Sequence, residues 1–236
     1  VSETGGVAAS TDGKKLAFAA MGGLYLYDLE SGSLTTLLDV AQNAGTASIS
    51  ISMLNGAAFA QDNSQIVFYG SGSSIPAVDS EEDFSIYGSI AVDGSGLKLT
   101  KPSGYEMEEM QSSVSRLFFP QTFTQADGTL LWIDRATGSA NTLSFSASGE
   151  GKDGVYGSEQ GNYVATAVLG SNLTVRVYDV ASGALVATEV IENSDPTYFN
   201  RIPRIYLLDG AKTAVVVLGG SIIEVDTLVS TFTFGE

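Results

Sequence analysis

One short turn, repeated along the chain, constrains the fold more than any other feature. Tyr27-Asp28-Leu29-Glu30-Ser31-Gly32, Ile133-Asp134-Arg135-Ala136-Thr137-Gly138 and Tyr178-Asp179-Val180-Ala181-Ser182-Gly183 follow one pattern, and each comes after a short apolar run at 24–27, 130–133 or 175–178. An aspartate accepts hydrogen bonds from the backbone just after it, and a glycine supplies the positive φ of a tight turn, so the pattern predicts strand, turn, strand. A looser copy runs from Ile90 through Asp93-Gly94-Ser95-Gly96, and a degenerate one ends at Val225-Asp226. A second turn precedes these: Thr11-Asp12-Gly13-Lys14, Gln61-Asp62-Asn63-Ser64, Glu159-Gln160-Gly161-Asn162 and Asp209-Gly210-Ala211-Lys212. Matched on Gly13, Asn63, Gly161 and Gly210, successive copies stand 50, 98 and 49 residues apart, with a skipped copy near Ser112 and Ser113. Five units of this period fill the 236 residues, and a period near 50 is a signature of repeat architectures.

The strands after these turns are apolar on both faces. Leu16 and Phe18 alternate with Ala17 and Ala19, while Ile66 to Tyr69 and Val215 to Val217 run unbroken. Such strands need cover on both sides, and blades packed sheet on sheet supply it. The expected fold is therefore an all-β propeller of five four-stranded antiparallel blades, or a part of a larger ring. One domain spans 1–236, with blades near 1–40, 55–102, 103–145, 154–190 and 202–236. Hydrophobic residues make up 44%, enough for a core at this length without disulfides or metals.

Composition narrows the chemistry. There is no cysteine, which excludes disulfides and thiolate ligands, and no histidine, which removes the usual general base and the commonest metal ligand. A net charge of −16 makes nucleic acid and anionic membrane poor partners. No apolar run is long enough for a membrane-spanning helix, and no leader is legible at Val1. Gly149, Gly151 and Gly154 have a dinucleotide-loop spacing but precede a strand, which is the wrong context. The first strands expected at 7–10, 57–60, 155–158 and 205–208 carry no acid, so an opposed carboxylate pair for glycoside hydrolysis is missing there. Only Glu106, Glu108 and Glu109 bring acids near the third blade. No cofactor is expected. Asn172-Leu173-Thr174 is a glycosylation sequon that matters only in a eukaryotic secretory setting.

Turn placement separates two ends of each blade. In an antiparallel four-stranded blade the first and third turns share one end, and the second turn and the link to the next blade share the other. The tight turns are all first or third turns, so the long irregular stretches at 39–56, 71–84, 101–106, 145–153 and 190–202 gather at the opposite end. Elaborated loops of this kind mark binding faces in repeat proteins. Phe84, Tyr105, Tyr198, Phe199 and Arg201 are candidate partner contacts there, because aromatics with arginine make interface hot spots. Asp79, Glu81, Glu82 and Asp83 form an acidic run that could take calcium, though the regular ligand spacing is absent and such a run is commonly a solvated loop. Alternation of Ile49, Ile51 and Met53 with serines predicts an extra edge strand or a hairpin arm over 47–53.

Ser10-Thr11-Asp12-Gly13-Lys14-Lys15-Leu16-Ala17-Phe18 followed by Leu24-Tyr25-Leu26-Tyr27-Asp28 resembles a blade of the TolB-type, WD-repeat-like propellers, as does Ile86-Tyr87 through Asp93-Gly94-Ser95-Gly96-Leu97-Lys98-Leu99-Thr100. The resemblance is good over the first, second and fourth units and weaker over the third and fifth. It implies a propeller, often extracytoplasmic in bacteria and often a platform for protein partners; that family usually has six or more blades. The expectation is a non-enzymatic module that binds a protein or serves as scaffold through its long-loop face, without nucleic acid or membrane insertion. A carbohydrate-active or sugar-binding propeller is the alternative.

Overall fold

The computed structural model describes residues 6–20, 22–42, 44–76, 83–102, 111–119, 129–145, 154–192, 203–221 and 224–234. Apart from one 3-10 turn at Val40–Gln42, every regular element among them is a strand. The first sheet holds β1 (Val7–Ala9), β2 (Lys15–Ala20), β3 (Gly23–Asp28) and β4 (Leu34–Asp39), and the second β5 (Ile49–Phe59), β6 (Gln65–Ser74), β7 (Phe84–Ala91) and β8 (Lys98–Thr100). The third holds β9 (Gln111–Ser112), β10 (Arg116–Phe119), β11 (Thr129–Asp134) and β12 (Ala140–Ser144). The fourth is built from β13 (Val155–Gly157), β14 (Tyr163–Leu169), β15 (Leu173–Asp179) and β16 (Leu185–Ile191). The fifth has three strands among the described residues, β17 (Arg204–Leu208), β18 (Thr213–Ser221) and β19 (Glu224–Thr233). Neighbouring strands in each sheet follow one another in sequence. These sheets are the blades of a five-bladed β-propeller, as the repeat predicts.

Contacts divide the chain into two compact units, Val1–Ser112 with Ile133–Ala140, and Ser113–Trp132 with Asn141–Glu236. In the first, Ala17, Ala19, Leu24 and Leu26 of the first sheet pack on Phe59, Ile66, Phe68, Ile86 and Ile90 of the second. Small alanines on one face let the larger side chains of the next sheet approach, so aromatic volume on one side is matched by its lack on the other. In the second unit, Ala165, Ala167, Val175 and Val177 meet Ile205, Leu207, Ala214 and Val216 by the same rule. Phe118, Leu130 and Leu143 pack with Val155, Val164 and Tyr178. Each fully buried leucine, isoleucine or phenylalanine contributes about 1.5–3 kcal/mol relative to exposure.

Two sequence expectations need correction. The fifth first turn does not turn on Gly210. Leu208 pairs with Thr213, which leaves 209–212 as the loop, and the positive φ falls on Lys212 at 45°. The segment around 47–53 is not an added edge strand either. It is the start of β5, continuous with the first strand of its own sheet and paired to β6 from Ile49↔Ser74 to Phe59↔Ile66. Register shifts between Ile51 and Met53 and between Leu54 and Gly56 break the simple alternation that suggested a wet edge.

Candidate protein-binding end

The turn end is built by local chemistry. Asp28 accepts from the N–H of Glu30 and of Ser31 at 3.0 and 2.8 Å and from the Ser31 hydroxyl at 2.9 Å. Asp134 repeats this with Ala136 and Thr137, and Asp179 with Ser182. The N–H of Gly32, Gly138 and Gly183 then donates to the carbonyl of the same aspartate at 2.9, 2.8 and 2.9 Å. Their φ values are 69°, 70° and 71°, a region that glycine enters without a Cβ penalty. First turns are different in that they reach across to the neighbouring blade. The Asn63 side chain accepts from the Thr11 N–H at 2.9 Å and donates to the Thr11 hydroxyl at 2.7 Å. Asp209 accepts from the N–H of Gln160 and of Asn162, each at 3.3 Å.

These hydrogen bonds set the charge at the turn end. The Ser10 hydroxyl and the Lys14 N–H hold the Asp12 carboxyl below its ordinary range, and the Ser31 N–H and hydroxyl do so for Asp28. The Ser64 N–H and hydroxyl lower Asp62, and the Ser95 hydroxyl and N–H lower Asp93. At Asp179 burial works to raise the value, but the bonds from Ser182 outweigh it and the net direction is down. A carboxyl lowered on folding contributes stability that is full above its unfolded value near about 4 and is lost as pH falls through the folded value. The thermal midpoint should thus hold steady down to about pH 5 and fall in more acid solution. A variant with Asp12, Asp28, Asp62 and Asp93 changed to Asn keeps the acceptors without the titration. Circular dichroism melts from neutral to acid pH should show a shallower fall for it; an unchanged slope would place the acid sensitivity elsewhere.

At the opposite end the second blade is extended. β5, β6 and β7 run 11, 10 and 8 residues, against 3 and 6 for β1 and β2. The first turn of this blade joins β5 to β6 at 60–64, so the extra length, 49–54 against 70–74, lies at the second-turn end. This ladder lengthens the blade into an arm whose Ile51 and Leu54 are buried in the first unit's core, and Ile75 just beyond it is 46% exposed. Close backbone approach makes the arm possible: a Cβ on Gly70 would lie 2.0 Å from the Met53 carbonyl oxygen.

Of the candidate contacts, Phe84 opens β7 at this end, partly buried against the first unit's core, with the Lys101 ammonium 3.7 Å from its ring centroid. Asp83 is exposed beside it. Asp79, Glu81, Glu82, Tyr105, Tyr198, Phe199 and Arg201 lie outside the described residues, as do Glu106, Glu108 and Glu109. Among the described residues no group of three or more acids, histidines or cysteines could hold a metal. The described first strands, β1, β5, β9, β13 and β17, carry no Asp or Glu. A cleft of about 540 Å³ in the second unit is lined by Trp132, Asn141, Thr142, Ser144, Ser182 and neighbouring residues, with no ionisable group among them.

Sequence reasoning missed two arginines. Arg135, in the third-blade turn, is 8% exposed, and its guanidinium donates from Nε at 2.8 Å and from a terminal nitrogen to the Phe59 carbonyl. Arg116 stacks 4.8 Å from the Trp132 ring centroid and donates to the Gly161 carbonyl. Both are placed by partners far away in sequence, so no local signal reveals them.

No family model matches the chain, and no curated protein matches it. Solved structures do. Hydrazine synthase of Kuenenia stuttgartiensis aligns at 15% identity and a TM-score of 0.54, covering 92% of this chain and 56% of that one. A chain assigned to TolB from Agrobacterium tumefaciens aligns at 15% identity and 0.52, covering 98% and 77%. A chain of the mitotic checkpoint complex aligns at 12% identity and 0.50, covering 93% and 58%. The protein thus spans little more than half the length of the hydrazine synthase and checkpoint chains. Identities this low report fold and not activity, and one of these neighbours is an enzyme by name. No described helix is long and apolar enough to cross a membrane. The repeated aspartate turns, the five sheets and these neighbours together give the fold: a TolB-like β-propeller.

Proposed function

We propose that this chain is a non-enzymatic propeller that binds a protein partner through its long-loop end, in an extracytoplasmic setting. The observation that carries this reading is the extended arm of β5, β6 and β7, where strand length is added at the long-loop end of the second blade. Strand arms of this kind offer backbone donors and acceptors to a partner together with side-chain contacts. Phe84 lies within the arm, paired with Gly72, and Tyr105, Tyr198, Phe199 and Arg201 are proposed as further contacts. Neighbours of the same fold include a component of a multi-protein complex, which supports a binding role in general terms. The acid-free described first strands and the lack of histidine argue against hydrolytic chemistry.

The test is comparative affinity capture from the native source, with the wild-type chain and Ile75→Glu as baits. Ile75 is exposed, so the substitution leaves folding intact, while a charge at the tip of an apolar contact costs an interface about 2 kcal/mol or more. A protein retained by the wild type and lost, by about 30-fold or more, with the variant supports the reading. Equal retention by both baits removes the arm from the binding site.

A further inference from the structure

The seam between the third and fourth sheets stays open at a place where the equivalent seam closes. Asp28, Asp134 and Asp179 head equivalent third turns, so Trp132 stands where the first blade has Leu26 and the fourth has Val177. Leu26 and Val177 are buried, each in a core shared with the next sheet. The N–H of Asp134 donates across its turn to the Ser139 carbonyl, and that of Asp179 to the Ala184 carbonyl, both at 2.9 Å. Two residues further on, Asn141 therefore takes the place of Val186, which packs on the same core as Val177. The third blade thus puts an indole and an amide where the fourth closes its seam with two valines. Trp132 is half-buried and Asn141 exposed, and both line the cleft of about 540 Å³, with the fourth blade's third turn, Val180 to Gly183, as the other wall. All of these cleft residues belong to the second unit.

The lining combines one aromatic ring, one amide and the hydroxyls of Thr142 and Ser144, with no charge among them. The Arg116 guanidinium lies over the indole at 4.8 Å from its centroid and steadies it. The indole Nε1 is buried with no acceptor among the described residues, so the ring is placed by packing on Leu130, Leu143 and their neighbours and not by its own hydrogen bond. Ser182 is already engaged, donating to Asp179 at 2.7 Å. The amide offers two donors and an acceptor, and each hydroxyl a donor and two acceptor positions. That set matches a ligand dense in hydroxyls, while the indole offers a flat apolar surface to a ring face that carries only C–H. A charged ligand would find no counter-charge in the lining. The volume falls within the range of about 300–1,000 Å³ of small-ligand sites.

We infer that this cleft binds a neutral saccharide, with one face of a pyranose ring against Trp132 and its hydroxyls bonded to Asn141, Thr142 and Ser144. The cleft lies at the turn end of these blades, opposite the end proposed for a protein partner, so it does not rest on that reading. An open cleft with a single aromatic contact gives weak binding, with a Kd of about 1 mM.

Trp132 is the single tryptophan of the chain, so its fluorescence reports from this cleft. Titration of the full chain with maltose, cellobiose, lactose and N,N′-diacetylchitobiose, each to about 50 mM, should give a saturable change in tryptophan emission with at least one of them. Asn141→Ala should weaken that sugar by about 10-fold. Ala181→Phe, at an exposed position of the opposite wall, should fill the cleft and abolish the response without lowering the melting temperature. If Asn141→Ala itself lowers the melting temperature, Ala181→Phe decides alone. A flat response to all four sugars overturns the inference. A response that Ala181→Phe leaves unchanged overturns it as well, because the sugar then binds elsewhere.

Discussion

Gly70→Val should destabilise the protein by about 3 kcal/mol or more, enough to leave much of it unfolded at moderate temperature. The reason is backbone, not propensity. A Cβ at this position would sit 2.0 Å from the Met53 carbonyl oxygen and 2.9 Å from the Leu54 Cα, and neither can rotate away as a side chain would. Leu54 is the residue that pairs with Gly70, between the two register shifts of β5. The larger residue must therefore push the arm of the second blade apart or re-register it. Gly56 is a useful contrast, because a Cβ there would meet the Tyr69 ring at 2.4 Å, and the ring is able to move. Gly210 is a control: nothing lies within 4 Å of its Cβ position, and its φ is not positive. Urea unfolding should rank Gly70→Val far above Gly56→Ala, with Gly210→Ala near zero. A Gly70→Val protein with wild-type stability would mean that β5 and β6 separate here at little cost.

Arg135→Leu should cost about 2–4 kcal/mol, a large loss for a residue in a surface turn. The replacement has precedent within the chain, since Leu29 follows the aspartate of the equivalent first-blade turn. At Arg135, however, the guanidinium lies buried against the Phe59 carbonyl, and Phe59 is fully buried at the end of β5. Leucine supplies no donor, so the carbonyl keeps its desolvation cost without compensation. Lysine keeps the charge but loses the planar pair of donors, and should fall between the two. Chemical denaturation of the wild type, Arg135→Lys and Arg135→Leu gives the order directly. Equal stability of the wild type and Arg135→Leu would show that water reaches the Phe59 carbonyl.

What was legible in the sequence is what is decided locally. Asp28, Asp134 and Asp179 announce their turns because the side chain, the N–H donors and the glycine all lie within five residues. Two-sided apolar strands such as 66–69 announce burial between sheets for the same reason. Gly210 misled because glycine permits a positive φ without requiring one, and Lys212 takes it instead. Ile49, Ile51 and Met53 misled because a bulge shifts the side-chain phase, and bulges leave no fixed mark in sequence. Arg135 was invisible as a buried residue because its acceptor lies 76 positions away. Of the candidate site, Phe84 lies within the arm opposite Gly72, while the acidic run except Asp83, and Tyr105, Tyr198, Phe199 and Arg201, fall outside the described residues.

The two classes of turn differ as places to graft new sequence. The third turns are closed by their own aspartate and glycine, as at Asp179 to Gly183, so an epitope or fluorophore inserted after Ser182 would strain only the hairpin that carries it. The first turns are stitched to their neighbours, Thr11 to Asn63 in one unit and Gln160 and Asn162 to Asp209 in the other. The same cargo placed at Asn162 would loosen two blades at once. A library built on this scaffold should therefore vary the third turns and leave the first ones alone.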